Sequence, residues 1–494
     1  MATVKVEGWW QWITGTIASF LLLAILPPAN ALADTAEIQR QLLKQDKWQG
    51  DLDGMVERRV IRALVVYNKM LYFLDGGRQR GASYEALKGF EKFVNKKFGT
   101  KTLKVDILFI PVPRDRIVPL LVEGYADIAA ANLTITPERK KLVDFSDPIA
   151  SGVAEILVTG PVAPQVNGLD DLAGKEIHVR ESSSYYEHLL RLNRQIEERG
   201  KPPVKLVKAD PLFEDADLLE MVNAGLIPMV VVDSHKAEFW ASVFDKVKLH
   251  PDIAVNRDGE IGWAFRKNSP KFKQVVDEFI KGNRQGTLMG NILLKRYFRE
   301  NKWARHATSE EELKKFDAMI GLFGRYAEEY DFDYLMLVAL AYQESQLDHG
   351  KRSRAGAVGI MQILPTTATD PNVGIPDIEK LEKNVHAGTK YLRFLRDRYF
   401  KDEKIDDINQ TLFSFAAYNA GPARVAQLRK EAAERGLDPN VWFHNVEVIA
   451  ARRVGRETVQ YVSNIYKYYV AYGLVTANRD ATQMQRETVM PGAK

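Results

Sequence analysis

The sequence contains no cysteine. This excludes disulfide bonds, thiol nucleophiles, thiolate metal sites and a lipid-modified cysteine anchor. A long block of like charge is also missing, and 69 basic against 65 acidic residues leave a formal net charge of +4. Because nucleic-acid recognition needs a concentrated basic surface, we predict no nucleic-acid partner.

The length of 494 residues is too great for a single hydrophobic core, so we expect several domains. Short apolar segments alternate with helical patterns between residues 50 and 300, which predicts an α/β domain with mainly parallel sheets in two lobes. From about Glu310 only helical periodicity continues, which predicts an all-α domain.

The N-terminus predicts export. Residues 8–26 carry no charge, and small residues at Ala31 and Ala33 offer a signal-peptidase site. Three tryptophans near residue 10 resemble an interfacial anchor, so a retained membrane anchor stays the alternative to a cleaved signal peptide. The predicted segments are 1–33 (signal peptide or anchor), 34–303 (two-lobed α/β domain), 304–476 (all-α domain) and 477–494 (disordered tail).

Glu344 is the candidate catalytic residue. A helix that begins after Asp331, its predicted N-cap, puts Leu337, Leu340 and Glu344 on one apolar face. A carboxyl there is desolvated, which raises its pKa and keeps it protonated as a general acid. A glutamate paired with a nearby arginine at the helix end is the alternative.

Ordered motifs surround Glu344 along the C-terminal third. They are Tyr342–Ser345, Ser353–Gln362, Asn384–Leu392, Ala416–Gly421 and Glu457–Val462. Together they resemble the lysozyme-like domain of lytic transglycosylases. The resemblance implies that Glu344 is the single acid/base, and that the sugar site is formed by Ser353, Gln362, Tyr418, Asn419, Glu457 and Tyr461. Each of these six has a structural alternative, as a turn residue, a backbone-bonding amide, a packing ring or a helix cap.

The resemblance also implies the reaction. Hydrolytic glycosidases generally need two carboxylates, and no motif marks Asp348, one helical turn from Glu344, as a partner. The family cleaves peptidoglycan glycan strands without metal or organic cofactor, because the C6 hydroxyl of the muramic acid attacks its own anomeric carbon and leaves a 1,6-anhydro end. The alternatives are a murein-docking receptor without catalysis and a goose-type hydrolytic lysozyme.

The α/β domain carries motifs of a second family. The segments Leu121–Ile128, Asn132–Arg139 and Val143–Pro148 resemble the solute-binding proteins of amino-acid transport systems. The resemblance implies a ligand carboxylate held by Thr134 and Arg139. A retained fold that binds nothing, with Arg139 paired to Asp144 or Asp147, is the alternative. The other implied ligand contacts are Ser183 and Ser184 at a helix start, Asp233 for a ligand amine, and Tyr72 as an aromatic wall.

The order of the segments resembles the membrane-bound lytic murein transglycosylases. This implies a periplasmic enzyme of the cell envelope, associated with the outer membrane, that is attached to a sensor domain for a muropeptide or an amino acid.

Overall fold

The computed structural model describes residues 47–75, 78–299 and 310–489. The predicted export segment and the predicted domain boundary at residue 303 lie outside these ranges. Within them, no helix combines the length and the apolar character that a membrane span requires.

The N-terminal domain is built on one mixed sheet with the strand order β4-β1-β5-β11-β7-β10-β8-β9, and β6 pairs with β11. The strands are β1 (Val60–Val65), β2 (Phe73–Asp75), β3 (Arg78–Arg80), β4 (Asp106–Pro111), β5 (Ile128–Thr134), β6 (Asp144–Phe145), β7 (Ala150–Thr159), β8 (Glu176–Val179), β9 (Lys205–Lys208), β10 (Met229–Asp233) and β11 (Lys248–Phe265). A separate hairpin joins β2 and β3.

The sheet divides into two lobes. Lobe A contains the parallel strands β4, β1 and β5, and lobe B contains the parallel strands β10, β8 and β9. Between them β7 and β11 run antiparallel to their neighbours. The prediction of two lobes is confirmed, whereas the prediction of a mainly parallel sheet is wrong where the lobes join.

Helices cover the sheet of this domain. They are α1 (Leu52–Glu57), α2 (Ala82–Lys97), α3 (Ile117–Val122), α4 (Pro137–Leu142), α5 (Ser184–Glu198), α6 (Asp215–Asn223), α7 (Ser234–Ala241), α8 (Pro270–Asn283) and α9 (Leu288–Phe298). In lobe A the rings of Phe90, Trp263 and Phe272 pack edge to face in the apolar core.

The C-terminal domain is all-α, as predicted. Its helices are α10 (Glu310–Tyr330), α11 (Tyr334–Ser345), α12 (Pro365–Thr369), α13 (Leu381–Leu395), α14 (Asp407–Ala420), α15 (Pro422–Glu434), α16 (Glu447–Arg453) and α17 (Arg456–Val489). Every residue of α11 from Leu335 to Ala341 is buried, so this helix forms the centre of the domain.

The start and the end of this domain differ from prediction. The N-cap of α11 is Asp333, whose side chain accepts a hydrogen bond from Leu335 N at 2.8 Å. Asp331 lies two residues earlier, in a left-handed conformation with φ 55°. The tail predicted to be disordered from residue 477 is helical as far as Val489, because α17 continues along the N-terminal domain, where Arg486 pairs with Glu220 at 2.9 Å.

Ion pairs connect the two domains. Lys467 of α17 pairs with Asp106 of lobe A at 2.9 Å, and Ser463 donates to the same carboxylate at 2.9 Å. Arg59 of lobe A pairs with Glu447 at 2.6 Å. These contacts fix α17, which also carries part of the candidate active site, against the first lobe.

Candidate active site

Glu344 lies in the last turn of α11 and is mostly buried. Burial raises the pKa of its carboxyl to about 7, against the opposing effects of a hydrogen bond from Tyr461 and the charge of Lys351. A group with this pKa is protonated in a large fraction of molecules at neutral pH and can also act as a base.

Two groups hold Glu344 in place. The Tyr461 hydroxyl, on α17, donates to Oε1 of the carboxylate, and the Lys351 ammonium donates to the backbone carbonyl of Glu344. The neighbouring Ser345 is buried and donates to the Ile360 carbonyl at 2.8 Å. The end of α11 is therefore joined to α17 and to the loop that follows.

The side chain of Asp348 forms no contact with the Glu344 carboxyl among the described hydrogen bonds. It is exposed, and its Oδ1 accepts a hydrogen bond from the Gly350 backbone N at 2.8 Å. The Asp348 carboxylate therefore stabilises the turn that follows α11.

Asn384, which the sequence showed only as part of a motif, organises the loop at residues 351–363. Its buried amide accepts from Met361 N at 2.9 Å and donates to the Val358 carbonyl at 2.9 Å. Gly359 has a φ of 78° and lies against the Asn384 side chain, so that a Cβ at this position would be 2.4 Å from Asn384 Nδ2. The close approach explains why a glycine occupies this position.

Ser353 and Gln362 bond to the backbone of this loop. The Ser353 hydroxyl oxygen accepts from Ala357 N at 2.9 Å. The Gln362 amide donates to the carbonyls of Gly359 at 2.8 Å and Lys351 at 3.0 Å. The structure thus gives both side chains a role in shaping the loop, and their direct contact with sugar stays a prediction.

Tyr418 and Tyr461 lie close to Glu344, and the charge of Glu344 adds to burial in raising the pKa of each phenol well above its usual value. The Tyr418 hydroxyl donates to the Met361 carbonyl at 2.9 Å. Asn419 is exposed, and its Oδ1 accepts from the Thr458 hydroxyl at 2.7 Å. Glu457 is exposed on the first turn of α17.

The predicted ligand residues of the N-terminal domain meet between the lobes, with one exception. Tyr72 is fully buried in the core of lobe A, where its ring stacks on Phe109 and its hydroxyl donates to Gln79 at 3.0 Å. It packs in the core and does not form a wall of the cleft, because the hairpin of β2 and β3 covers it.

The guanidinium of Arg139 forms hydrogen bonds and an ion pair within the protein. It donates to the carbonyls of Thr134 and Ser182, each at 2.9 Å. It also pairs with Glu187 at 3.3 Å, and neither Asp144 nor Asp147 is its partner as the alternative had suggested. Glu187 thus supplies the carboxylate that Arg139 binds in the structure.

The two serines occupy the start of α5. The Ser183 hydroxyl is the N-cap and accepts from Tyr186 N at 3.3 Å. The Ser184 hydroxyl lies 3.0 Å from Thr134 Oγ1 and donates to Glu155 at 2.7 Å. Ser184 therefore connects lobe B to the end of β5 in lobe A.

Asp233 is buried at the end of β10. Its Oδ2 pairs with Lys236 at 2.8 Å and accepts from Asn132 of lobe A at 3.2 Å, whereas its Oδ1 has no partner among the described residues. The sequence did not predict the charge network behind it, in which Arg114 of lobe A pairs with Glu214 of lobe B at 2.8 Å. Within the described ranges, no cluster of three or more histidine or acidic residues could hold a metal ion.

The chain resembles known proteins in both domains. Residues 321–440 match the transglycosylase SLT domain, and residues 79–300 match the bacterial extracellular solute-binding proteins, family 3. Membrane-bound lytic murein transglycosylase F of Pseudomonas fluorescens (strain Pf0-1) is 27% identical over 441 residues, which cover 85% of each chain. The protein of the same name from Desulfosudis oleivorans is 28% identical and covers 83% of this chain and 89% of its own.

Among solved structures, an ancestral arginine-binding protein bound to arginine matches with 23% identity and a TM-score of 0.40, covering 48% of this chain and 98% of its own. The relatives span both domains of this chain, and the two family models assign a family 3 solute-binding domain to its N-terminal part and an SLT domain to its C-terminal part, so the chain is similar to lytic murein transglycosylases over most of its length.

Proposed function

We propose that this protein cleaves the glycan strands of peptidoglycan without water, with Glu344 as its acid and base. The observation that carries the proposal is the buried Glu344 carboxyl, with a pKa of about 7 and a hydrogen bond from Tyr461. The relatives named lytic murein transglycosylases support the choice of substrate.

In the first step, protonated Glu344 gives its proton to the glycosidic oxygen between the muramic acid and the next sugar, and the bond from C1 to that oxygen breaks. The N-acetyl group of the muramic acid stabilises the positive charge that develops at C1. In the second step the C6 hydroxyl oxygen bonds to C1, and its proton passes to the Glu344 carboxylate. The enzyme is thereby restored, and the product has a 1,6-anhydro end.

The surroundings of Glu344 suit both steps. Between them Glu344 is a carboxylate, and the Tyr461 hydrogen bond stabilises that charged form. We propose that the exposed Asn419 and Glu457, together with Ser353, Gln362 and Tyr418, line the sugar site. In support, Asn384 holds the loop that contains Ser353 and Gln362, and Tyr418 donates to the Met361 carbonyl of the same loop.

Mass spectrometry of murein digested by the purified protein tests this function. We expect anhydro-muropeptides, which are lighter by one water than hydrolytic products. Reducing ends would instead identify a hydrolytic lysozyme, and intact murein would identify a docking receptor.

We further propose that the N-terminal domain binds a small ligand with a carboxylate and an amine, of the amino-acid or muropeptide class. The support is the position of Arg139 and Asp233 between the lobes and the Oδ1 of Asp233, which has no hydrogen-bond partner among the described residues. A ligand carboxylate would take the place of Glu187 on Arg139. We also propose a periplasmic location on the outer membrane; the names of the relatives support membrane association.

A further inference from the structure

A cavity of about 500 Å³ lies between lobe A and the C-terminal domain. Ser463, Tyr466 and Lys467 of α17 line it. At 100° per residue these three side chains lie on the side of the helix opposite Tyr461, which faces Glu344. The cavity is therefore separate from the candidate active site, and it is separate from the cleft between the two lobes.

One wall of the cavity is apolar. The rings of Phe443 and Tyr466 lie 5.2 Å apart at a tilt of 58°, and Leu108 of β4 lies on the lobe A side. The Tyr466 hydroxyl has no hydrogen-bond partner in the part of the chain that the structure describes. This wall offers an apolar surface of two tilted rings, with the Tyr466 hydroxyl at its edge.

The rest of the lining carries an excess of positive charge, with five cationic and two acidic side chains. Lys467 and Arg59 are neutralised by ion pairs across the domain interface with Asp106 and Glu447. The other three cations are Arg58, Arg62 and Lys104.

These three cations are poorly compensated. Arg58 and Arg62 both pair with Asp127, and the same carboxylate also pairs with Arg266. Three guanidinium groups therefore share the single negative charge of Asp127. Lys104 is half-buried and forms no ion pair or hydrogen bond within the described ranges. A partly buried cation with no counter-charge, or with a shared one, is costly, and a bound anion would relieve that cost.

We propose that this cavity is a binding site for a small dianion that carries an apolar group. The ammonium of Lys104 binds the charged end, with Arg58 adding positive charge in the lining, and the rings of Phe443 and Tyr466 contact the apolar part. A phosphate monoester and a dicarboxylate share this chemistry. The volume of the cavity lies within the range of small-molecule sites.

Calorimetry on the full chain with four probes tests the site. The probes are inorganic phosphate, phenyl phosphate, succinate and phenylsuccinate. We expect each phenyl compound to bind more tightly than its parent ion, and the stronger pair identifies the charged group as phosphate or dicarboxylate. Because the ligand would contact both domains, the tighter probe should also raise the melting temperature.

Two variants and a control locate the binding. Lys104→Ala removes a charged donor and should weaken binding roughly 5-fold or more. Tyr466→Phe removes only the hydroxyl and should also weaken binding. Lys101→Ala, an exposed lysine of the same segment that does not line the cavity, should bind like wild type.

The proposal is overturned if none of the probes binds at millimolar concentration, or if the phenyl compounds bind no more tightly than their parents. It is also overturned if Lys104→Ala and Tyr466→Phe both bind like Lys101→Ala, since the ligand would then lie elsewhere. The measurement does not depend on murein cleavage.

Discussion

The hydroxyl of Tyr461 donates a hydrogen bond to Oε1 of Glu344, although 117 positions separate the two residues in the sequence. Burial raises the pKa of Tyr461 well above that of a free phenol, so the hydroxyl remains a donor at all physiological pH values. Since the hydrogen bond favours the charged form of Glu344, it counteracts burial and keeps the pKa of the carboxyl near neutrality.

Glu344→Gln should abolish cleavage while the protein remains folded. The amide cannot give or take the proton, so the rate of murein release should fall at least ~100-fold, the scale for loss of a general acid. Release of soluble muropeptides measures the rate, and circular dichroism checks the fold. Near-normal turnover by the folded variant would show that another group is the acid.

The same substitution should stabilise the protein at neutral and higher pH. Folding raises the Glu344 pKa from its usual 4.5 to about 7, so between these values the folded state binds more protons than the unfolded state. Wild type should therefore lose up to about 3 kcal/mol of stability from this group as pH rises from 4.5 to 7.

Urea unfolding at a series of pH values measures this difference. The stability of Glu344→Gln relative to wild type should increase across that window and stay constant above it. A difference that does not change with pH would show that the Glu344 pKa is not raised by folding.

Tyr461→Phe should move the pH–rate profile toward higher pH. Removal of the hydrogen bond takes away an effect that lowers the Glu344 pKa, so the carboxyl stays protonated at higher pH and the alkaline limb shifts upward. The maximal rate should fall, because the carboxylate formed between the two steps loses a donor. Tyr399→Phe, which changes an exposed ring of the same domain, is the control. An unshifted profile in Tyr461→Phe would contradict the role of this hydrogen bond.

The sequence was sufficient to predict the two domain classes and the position of Glu344 on a buried helix. It was not sufficient to predict β11, because the charged and proline-containing stretch from His250 to Asp258 interrupts the apolar pattern of this strand. Pairing with β7 and β5 holds the strand together. Such pairing depends on residues distant in sequence.

The side-chain directions in the candidate site were also beyond prediction. A motif glutamine such as Gln362 can point toward a sugar or toward its own loop, and only the folded loop shows that its amide donates to two backbone carbonyls. The role of Asn384 follows from its burial among backbone groups of two separate segments, the loop at residues 351–363 and the stretch around Ile378. Local sequence contains no signal for that environment.

Gly359→Ala should disrupt the loop beside Glu344. A methyl group there would meet the Asn384 amide at 2.4 Å, in addition to the strain of φ 78°, so we expect a loss of about 3 kcal/mol or more. Gly356→Ala is the matched control in the same loop, because its φ is 86° but no atom lies within 4 Å. It should lose only about 1 to 2 kcal/mol. Urea unfolding compares the two variants, and equal losses would show that the contact with Asn384 does not matter.

Glu187→Ala should strengthen binding of a ligand carboxylate to the N-terminal domain. In the structure Oε1 of Glu187 forms an ion pair with Nε of Arg139 at 3.3 Å. Oε2 of Glu187 is buried and has no hydrogen-bond partner among the described residues. A ligand must displace this carboxylate from Arg139, so its removal should lower the dissociation constant by roughly 5- to 10-fold. Arg139→Ala should remove binding, because it deletes the group that both carboxylates share.

Calorimetric titration with free amino acids and murein stem peptides measures these constants. Glu181→Ala is the control, since Glu181 is exposed and pairs with Lys208 at 2.7 Å.

Murein release with and without the best ligand then measures the coupling between domains, for which about 1 to 3 kcal/mol is expected. If neither wild type nor Glu187→Ala binds any of these compounds, the cleft is closed by its own charges and the domain is a retained fold without a ligand. The role of Glu344 is unaffected by that result, because the residues that set its pKa belong to the C-terminal domain.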